Sequence, residues 1–127
     1  MIKVSIPPSL TKIEEYMFSH CSSLKEINIP ETLIEIGSHA FENCFTIRQI
    51  LIPHNVISIG SSAFFGCSSL DHISIPFSMT KIQPYTFDRC HSLAIIVIPN
   101  SITLFDSYAF YRCIFLKEIF IPSSVIA

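Results

Sequence analysis

The sequence predicts an α/β fold of one particular kind: a right-handed solenoid of 23-residue coils. A parallel sheet would line the concave face, with short second strands and one- to two-turn helices elsewhere. Three observations predict it. Pro7, Pro30, Pro53, Pro76, Pro99 and Pro122 recur every 23 residues without a slip. Phe18, Phe41, Phe64, Phe87 and Phe110 keep the same step, and so do Cys21, Cys44, Cys67, Cys90 and Cys113. A constant period in this range is what stacked coils require, because each coil buries its apolar side only against its neighbours. The period runs from end to end, so residues 1–127 read as a single domain of about five and a half coils, with no linker and no visible capping coil.

The second coil shows how one repeat is assigned. Ile27 and Ile29 alternate with polar neighbours, the period of a strand. Pro30 has no N–H to give a ladder, so the strand ends there. The same pattern recurs at Val4-Ser5-Ile6, Ile50-Leu51-Ile52, Ile73-Ser74-Ile75, Ile96-Val97-Ile98 and Ile119-Phe120-Ile121, which predicts six parallel strands in register. With gaps of about 4.8 Å, the sheet would be roughly 24 Å wide. After each proline comes a short polar residue (Ser9, Thr32, Asn55, Ser78, Ser101, Ser124), suited to bonding nearby backbone and to bridging between coils. A buried aliphatic residue follows (Leu10, Leu33, Val56, Met79, Ile102, Val125), then a second inward position at Ile13, Ile36, Ile59, Ile82 and, as an exception, Phe105. These suggest a short second strand. Ala40, Phe41 and Cys44 have the spacing of one helical face. Pro84, Glu14 and Glu15 suit a helix start.

Composition excludes several classes. Half of the residues are apolar and 14% are charged, yet the longest unbroken apolar run is Leu93 to Ile98, far short of a membrane-spanning helix. No secretory signal is read at Met1–Pro7. The net charge is −2 and the eight basic residues are dispersed, so no basic stripe for nucleic acid is evident. An odd number of cysteines at equal spacing does not look like a disulfide framework. Five reduced, buried thiols acting as small apolar fillers are expected. His20-Cys21 and Cys90-His91 are adjacent pairs, but there is no C-x-x-C and no H-x-x-x-H, so neither metal nor other cofactor is expected. The five histidines are scattered over the repeat, with only His72 on the open face, and no phosphate-cradling glycine loop is present. No catalytic residue is assigned.

These residues resemble a leucine-rich repeat. Leu24-x-x-Ile27-x-Ile29 fits the L-x-x-L-x-L core, which recurs from Ile47, Leu70, Leu93 and Leu116. The longer pattern Ile-Pro-x-Ser-hydrophobic-x-x-Ile-Gly-x-x-Ala-Phe-x-x-Cys-x-x-Leu resembles the BspA-like, or Treponema pallidum-type, class. Ile52-Pro53 through Ile59-Gly60-Ser61-Ser62-Ala63-Phe64-Phe65-Gly66-Cys67-Ser68-Ser69-Leu70 is a close match. The resemblance covers the whole chain. It implies a surface adhesin or interaction protein of the kind found in bacteria and parasitic protists, and hence a protein ligand. The reduced cysteines and the absence of a signal peptide favour the cytosol by default, so location stays open.

Function is expected in the residues that break the pattern. The outward strand positions are Lys3 and Ser5, Glu26 and Asn28, Gln49 and Leu51, His72 and Ser74, Ile95 and Val97, Glu118 and Phe120. They vary while the inward positions do not. All but the first pair are the candidate partner-binding residues on the concave face. Ile95, Val97 and Phe120, with Ala94 and Phe77 nearby, would form an exposed apolar cluster. Such a cluster marks an interface, or it is the scattered apolar surface normal for a small domain. Self-association through uncapped ends or through this apolar part of the face is expected. The alternative to a binding module is a structural or self-assembling segment of a larger repeat protein.

Overall fold

A computed structural model of the chain describes residues 2–106 and 108–120, with the side chains of Phe105, Glu118 and Phe120 outside the description. The expectations on Met1, Ile121, Pro122, Ser124 and Val125, and on the inward side chain of Phe105, therefore fall outside the described residues.

Two sets of strands alternate along the chain. The first set is β1 (Ile2–Ser5), β3 (Leu24–Asn28), β5 (Gln49–Ile50), β7 (His72–Ile73), β9 (Ile95–Val97) and β11 (Glu118–Phe120). The second is β2 (Lys12–Ile13), β4 (Glu35–Ile36), β6 (Ser58–Ile59), β8 (Lys81–Ile82) and β10 (Leu104–Phe105). Every pairing is parallel, and partners stand one repeat apart: Val4 opposite Ile27, Ile50 opposite Ile73, Ile96 opposite Ile119, Ile13 opposite Ile36 and Ile36 opposite Ile59. Parallel sheets with a constant register are what identical repeats dictate, since any shift would turn the buried isoleucines outward.

The first-strand sheet is less continuous than the sequence predicts. Its strands are hydrogen-bonded in pairs, β1 with β3, β5 with β7 and β9 with β11, and the pairs lie side by side. Between β3 and β5 a side chain takes over part of the ladder: Thr46 Oγ1 lies 3.0 Å from Ser22 O and 2.8 Å from Leu24 O, a donor to either carbonyl. Beyond each first strand the proline carbonyl accepts an N–H three residues on, as in Leu33 to Pro30 at 3.0 Å and Ile102 to Pro99 at 3.1 Å. The short polar residue after the proline bridges between coils at three positions, to the preceding coil rather than the next, whereas the Ser101 hydroxyl is buried without a partner. Thr32 Oγ1 donates to Pro8 O at 2.9 Å, Asn55 Nδ2 to Glu31 O at 2.9 Å, and Ser78 Oγ to Val56 O.

The helices expected around Ala40, Phe41 and Cys44, and after Glu14, Glu15 and Pro84, do not form; among the described residues there is no helix. The backbone shows why. Tyr16, His20, His39, Asn43, Ser62, Gly66, Tyr85, Arg89, Tyr108 and Arg112 all have φ between 56° and 71°, two per coil and four residues apart. A left-handed residue every turn breaks an α-helix and costs roughly 1–2 kcal/mol for a side chain with Cβ. Hydrogen bonds across coils offset that cost. The N–H groups of His39, Phe41 and Asn43 reach forward to Ser61, Ala63 and Phe65 at 3.0, 2.8 and 2.7 Å. Those of Ala40, Glu42 and Cys44 turn back to Gly37, His39 and Phe41 within the same coil. An α-helix would spend all of these donors internally and leave nothing to bind the next coil. Pro84 fits the turn as it would have fitted a helix start, since its fixed φ and missing N–H suit the opening residue of such a segment.

The core is a column of repeats within repeats. Phe18, Phe41, Phe64, Phe87 and Phe110 stack face to face at centroid distances of 5.4, 5.4, 5.8 and 5.2 Å. The three inner rings are fully buried and the two end rings are half-buried. The thiols do more than fill space. The Sγ of Cys44, Cys67, Cys90 and Cys113 donates to the carbonyl of Phe18, Phe41, Phe64 and Phe87 in the preceding coil, at 3.1, 3.1, 3.2 and 3.0 Å. Each of these carbonyls also accepts the N–H of its own coil's cysteine, for example Cys44 to Phe41 at 3.2 Å, so both lone pairs are used. No disulfide is present among these cysteines. Burial pushes the Cys44 thiol up to about 12 and those of Cys67 and Cys90 well above the ordinary value, which keeps them protonated as donors.

Two outcomes are expected. Phe64→Ala, in the middle of the stack, should lower the unfolding free energy by about 3–5 kcal/mol, and Phe18→Ala at the half-buried end by less; urea titration followed by circular dichroism measures both. Cys44, Cys67 and Cys90 should resist iodoacetamide at pH 8 in the folded protein and react once urea unfolds it, read by mass spectrometry.

Candidate functional site: the open face of the first strands

A strand with one buried face alternates its side chains, and β3 does so: Leu24 and Ile27 are buried while Lys25, Glu26 and Asn28 are exposed. The same alternation turns Gln49, His72, Ile95 and Val97 outward. Leu51 and Ser74 lie just beyond the ends of the two-residue strands β5 and β7 and are also exposed. Register brings these residues together. Lys3 stands opposite Glu26, Ser5 opposite Asn28, Gln49 opposite His72, Ile95 opposite Glu118 and Val97 opposite Phe120. Glu118 and Phe120 are thus placed in the ladder by their backbone.

The face changes character along its length. Its first half is polar, and several of its charged and polar groups pair with one another. Lys3 Nζ lies 3.3 Å from Glu26 Oε2, Asn28 Nδ2 donates to Ser5 Oγ at 3.4 Å, and Arg48 Nη2 lies 3.2 Å from Asp71 Oδ2. All are exposed, so each ion pair contributes about 1 kcal/mol at most and serves more to hold side-chain positions. The second half is apolar. Phe77, Ile95 and Val97 are 74%, 53% and 61% exposed, and Leu51, 75% exposed, stands in the polar half. Phe77, Ile95 and Val97 line a groove of about 500 Å³ with His72 and Ser74 on its wall. A second groove of about 400 Å³ lies in the polar half between Glu26, Asn28, Gln49 and Leu51, closed on one side by Glu31 and His54.

Glu31 and His54 were not among the sequence candidates. They share the position directly after the proline, where Phe77 and Asn100 also stand, and His54 Nε2 lies 3.8 Å from Glu31 Oε2. The variability of that position was the available signal. Among the described residues, no group of three His, Cys, Asp or Glu side chains could hold a metal ion, and no helix is long and apolar enough to cross a membrane.

A second cluster of charge lies on the turn segments. Asp88 is 1% exposed, and its Oδ1 has no hydrogen-bond partner, the nearest cation being Arg112 Nε at 3.7 Å. Burial raises its carboxyl above the ordinary carboxylate value, while Arg112 and Arg89 pull it part of the way back. Nothing in the repeat pattern points to this group, because burial here depends on which residues flank it in adjacent coils: Phe65 and Tyr111 hold the equivalent positions.

Parallel strands repeating at one proline-ended position, stacked on a continuous phenylalanine column, define a leucine-rich repeat protein. The chain belongs to the BspA-type leucine-rich repeat family, whose pattern matches six times over residues 1–117. It is similar to the crystal structure of the T. pallidum leucine-rich repeat protein, with a TM-score of 0.89 and 32% identity over 93% of this chain and 57% of that one. A leucine-rich repeat protein from Bacteroides ovatus matches with a TM-score of 0.82 and 31% identity, over 97% of this chain and 38% of its own. One from Eubacterium ventriosum matches with a TM-score of 0.84 and 25% identity, over 94% and 32%. The chain thus spans less than two thirds of each of these structures. No curated protein matches it.

The raised carboxyl of Asp88 sets the sign of a pH effect. A group that binds its proton more tightly when folded contributes most below its unfolded value and costs stability as pH rises through its folded one. Stability should therefore fall as pH rises from about 4 through the shifted range, and Asp88→Asn should remove that part of the profile. Thermal melting of both proteins across this range provides the check.

Proposed function

We propose that the chain is a non-catalytic protein-binding module that receives its partner across the open face of the first strands. The observation that carries this reading is the contrast within each strand. Inward positions are uniformly isoleucine, leucine or valine, while outward ones vary from coil to coil and end in an exposed apolar groove. Packing explains the first; recognition gives the second a use. In this reading Leu51, Ile95 and Val97 supply apolar anchor area, with Phe77 beside them. Glu26, Asn28, Gln49, His72 and Ser74 read polar groups of the ligand, and Glu118 and Phe120 extend the site by one rung.

Adhesion to a host or matrix protein from the cell surface is the most concrete version, and membership of the BspA-type family supports it. Self-association through the apolar half of the face, or through the ends of the stack, would make the chain a structural segment instead. Val97→Asp and Glu26→Lys separate the two readings. Both positions are exposed, so folding should change by about 0.5 kcal/mol or less. Against a panel of immobilised matrix proteins, Val97→Asp should weaken binding by about tenfold or more, as loss of a central anchor does. If it alters only the oligomer size seen by light scattering, the structural reading replaces the module.

A further inference from the structure

The turn segments of the fourth and fifth coils build a second surface, separate from the strand face. Tyr85 and Tyr108 occupy the same repeat position and stack at 5.3 Å, and Tyr111 meets Tyr108 edge-on at 5.1 Å. The guanidinium of Arg89 lies over the Phe65 ring at 5.4 Å, and that of Arg112 over the Tyr111 ring at 4.4 Å. Arg89 and Arg112 also share a repeat position, in adjacent coils joined by the bond from Arg89 N–H to Tyr111 O at 2.9 Å. Both arginines and all three tyrosines are exposed. Aromatic residues and arginine are the types that carry binding energy in protein interfaces. Here each is already held by a ring contact, so little side-chain freedom remains to be lost on binding.

This surface sets two cations of the same repeat position in adjacent coils. Among the described residues Lys3, Lys12, Arg48 and Lys81 each lie within 4 Å of a carboxylate that reaches solvent, while Lys25 and Lys117 are single exposed cations without one. Among the described residues Arg112 faces only Asp88, which is buried beneath it, and Arg89 has no carboxylate within that distance. Solvent therefore meets two adjacent guanidiniums without an accessible counter-charge. A guanidinium stacked by one face on a ring keeps its edge N–H groups for a planar, two-oxygen acceptor.

We propose that this surface binds an acidic segment of a protein partner. The segment's carboxylates would pair with the edges of Arg89 and Arg112, and its apolar side chains would cover the Tyr108–Tyr111 pair. Phosphate and sulfate share the oxyanion chemistry. A peptide also uses the apolar area of the rings and of Ile114 and Phe115, which are 68% and 58% exposed nearby in sequence.

Fluorescence anisotropy tests it, with a labelled peptide alternating glutamate and leucine, a lysine–leucine counterpart and a labelled heparin fragment as probes. The glutamate peptide should bind, more weakly as salt is raised. Arg89→Gln/Arg112→Gln should weaken it by about tenfold. Arg89→Gln alone, which leaves the Arg112–Asp88 contact intact, should weaken it less, and guards against a folding defect in the double variant. Val97→Asp should leave it unchanged, so failure here and failure of the strand-face reading are distinguishable. Equal affinity for the double variant, equal binding of the lysine peptide, or binding of heparin without the glutamate peptide would each overturn the proposal.

Discussion

Each coil completes its backbone by bonding to the equivalent residues one repeat away. The parallel ladders do this along β1–β3, β5–β7 and β9–β11 and along the second strands, and the turn segments do it through donors such as Phe41 and Phe64. A short coil has too few internal contacts to hold itself together, so the bonds and burial that join it to its neighbours decide whether any of it is ordered. The uniform register follows from that. Phenylalanine must meet phenylalanine and thiol must meet carbonyl at one height, because one slipped coil would break all of these at once.

The turn segments show how strongly this requirement acts. Ala40, Phe41 and Cys44 have helical spacing, and a local reading favours a short helix. An isolated turn or two of helix is barely stable in water, whereas donors aimed at the next coil find preformed acceptors. The chain accepts left-handed φ at tyrosine, histidine, serine and arginine, residues with a Cβ, to make those bonds. Cysteine at the end of the segment then suits two needs, since a small polarizable side chain packs beside the ring column and its S–H reaches the Phe carbonyl of the preceding coil.

Because packing fixes the inward side chains, the outward ones are free to differ. The strand face was legible for that reason: alternation set by Pro30 and its equivalents showed which of Glu26, Gln49, His72 and Ile95 must point away from the core. Its division into a polar half and an apolar groove was partly legible, through Ile95 and Val97. Glu31 and His54 escaped notice because they follow the strand, and only the folded turn brings them to the rim. Of the Arg89–Arg112 surface the sequence shows only the apolar part, the variable group Tyr111, Ile114 and Phe115. Its two arginines look dispersed in a chain of net charge −2, and they become neighbours only when coils stack.

The sequence by itself determined the repeat length, the parallel register, the phenylalanine and cysteine columns and the faces of the strands. All of these follow from periodicity, which is a property of the chain read in one dimension. The tertiary structure decided the path of the turn segments, the pairwise rather than continuous hydrogen bonding of the first strands, the donor role of the thiols and the burial of Asp88. Those depend on which group in the adjacent coil a given N–H, S–H or carboxylate meets. A period states that neighbours are equivalent; it does not state which atoms they offer to one another.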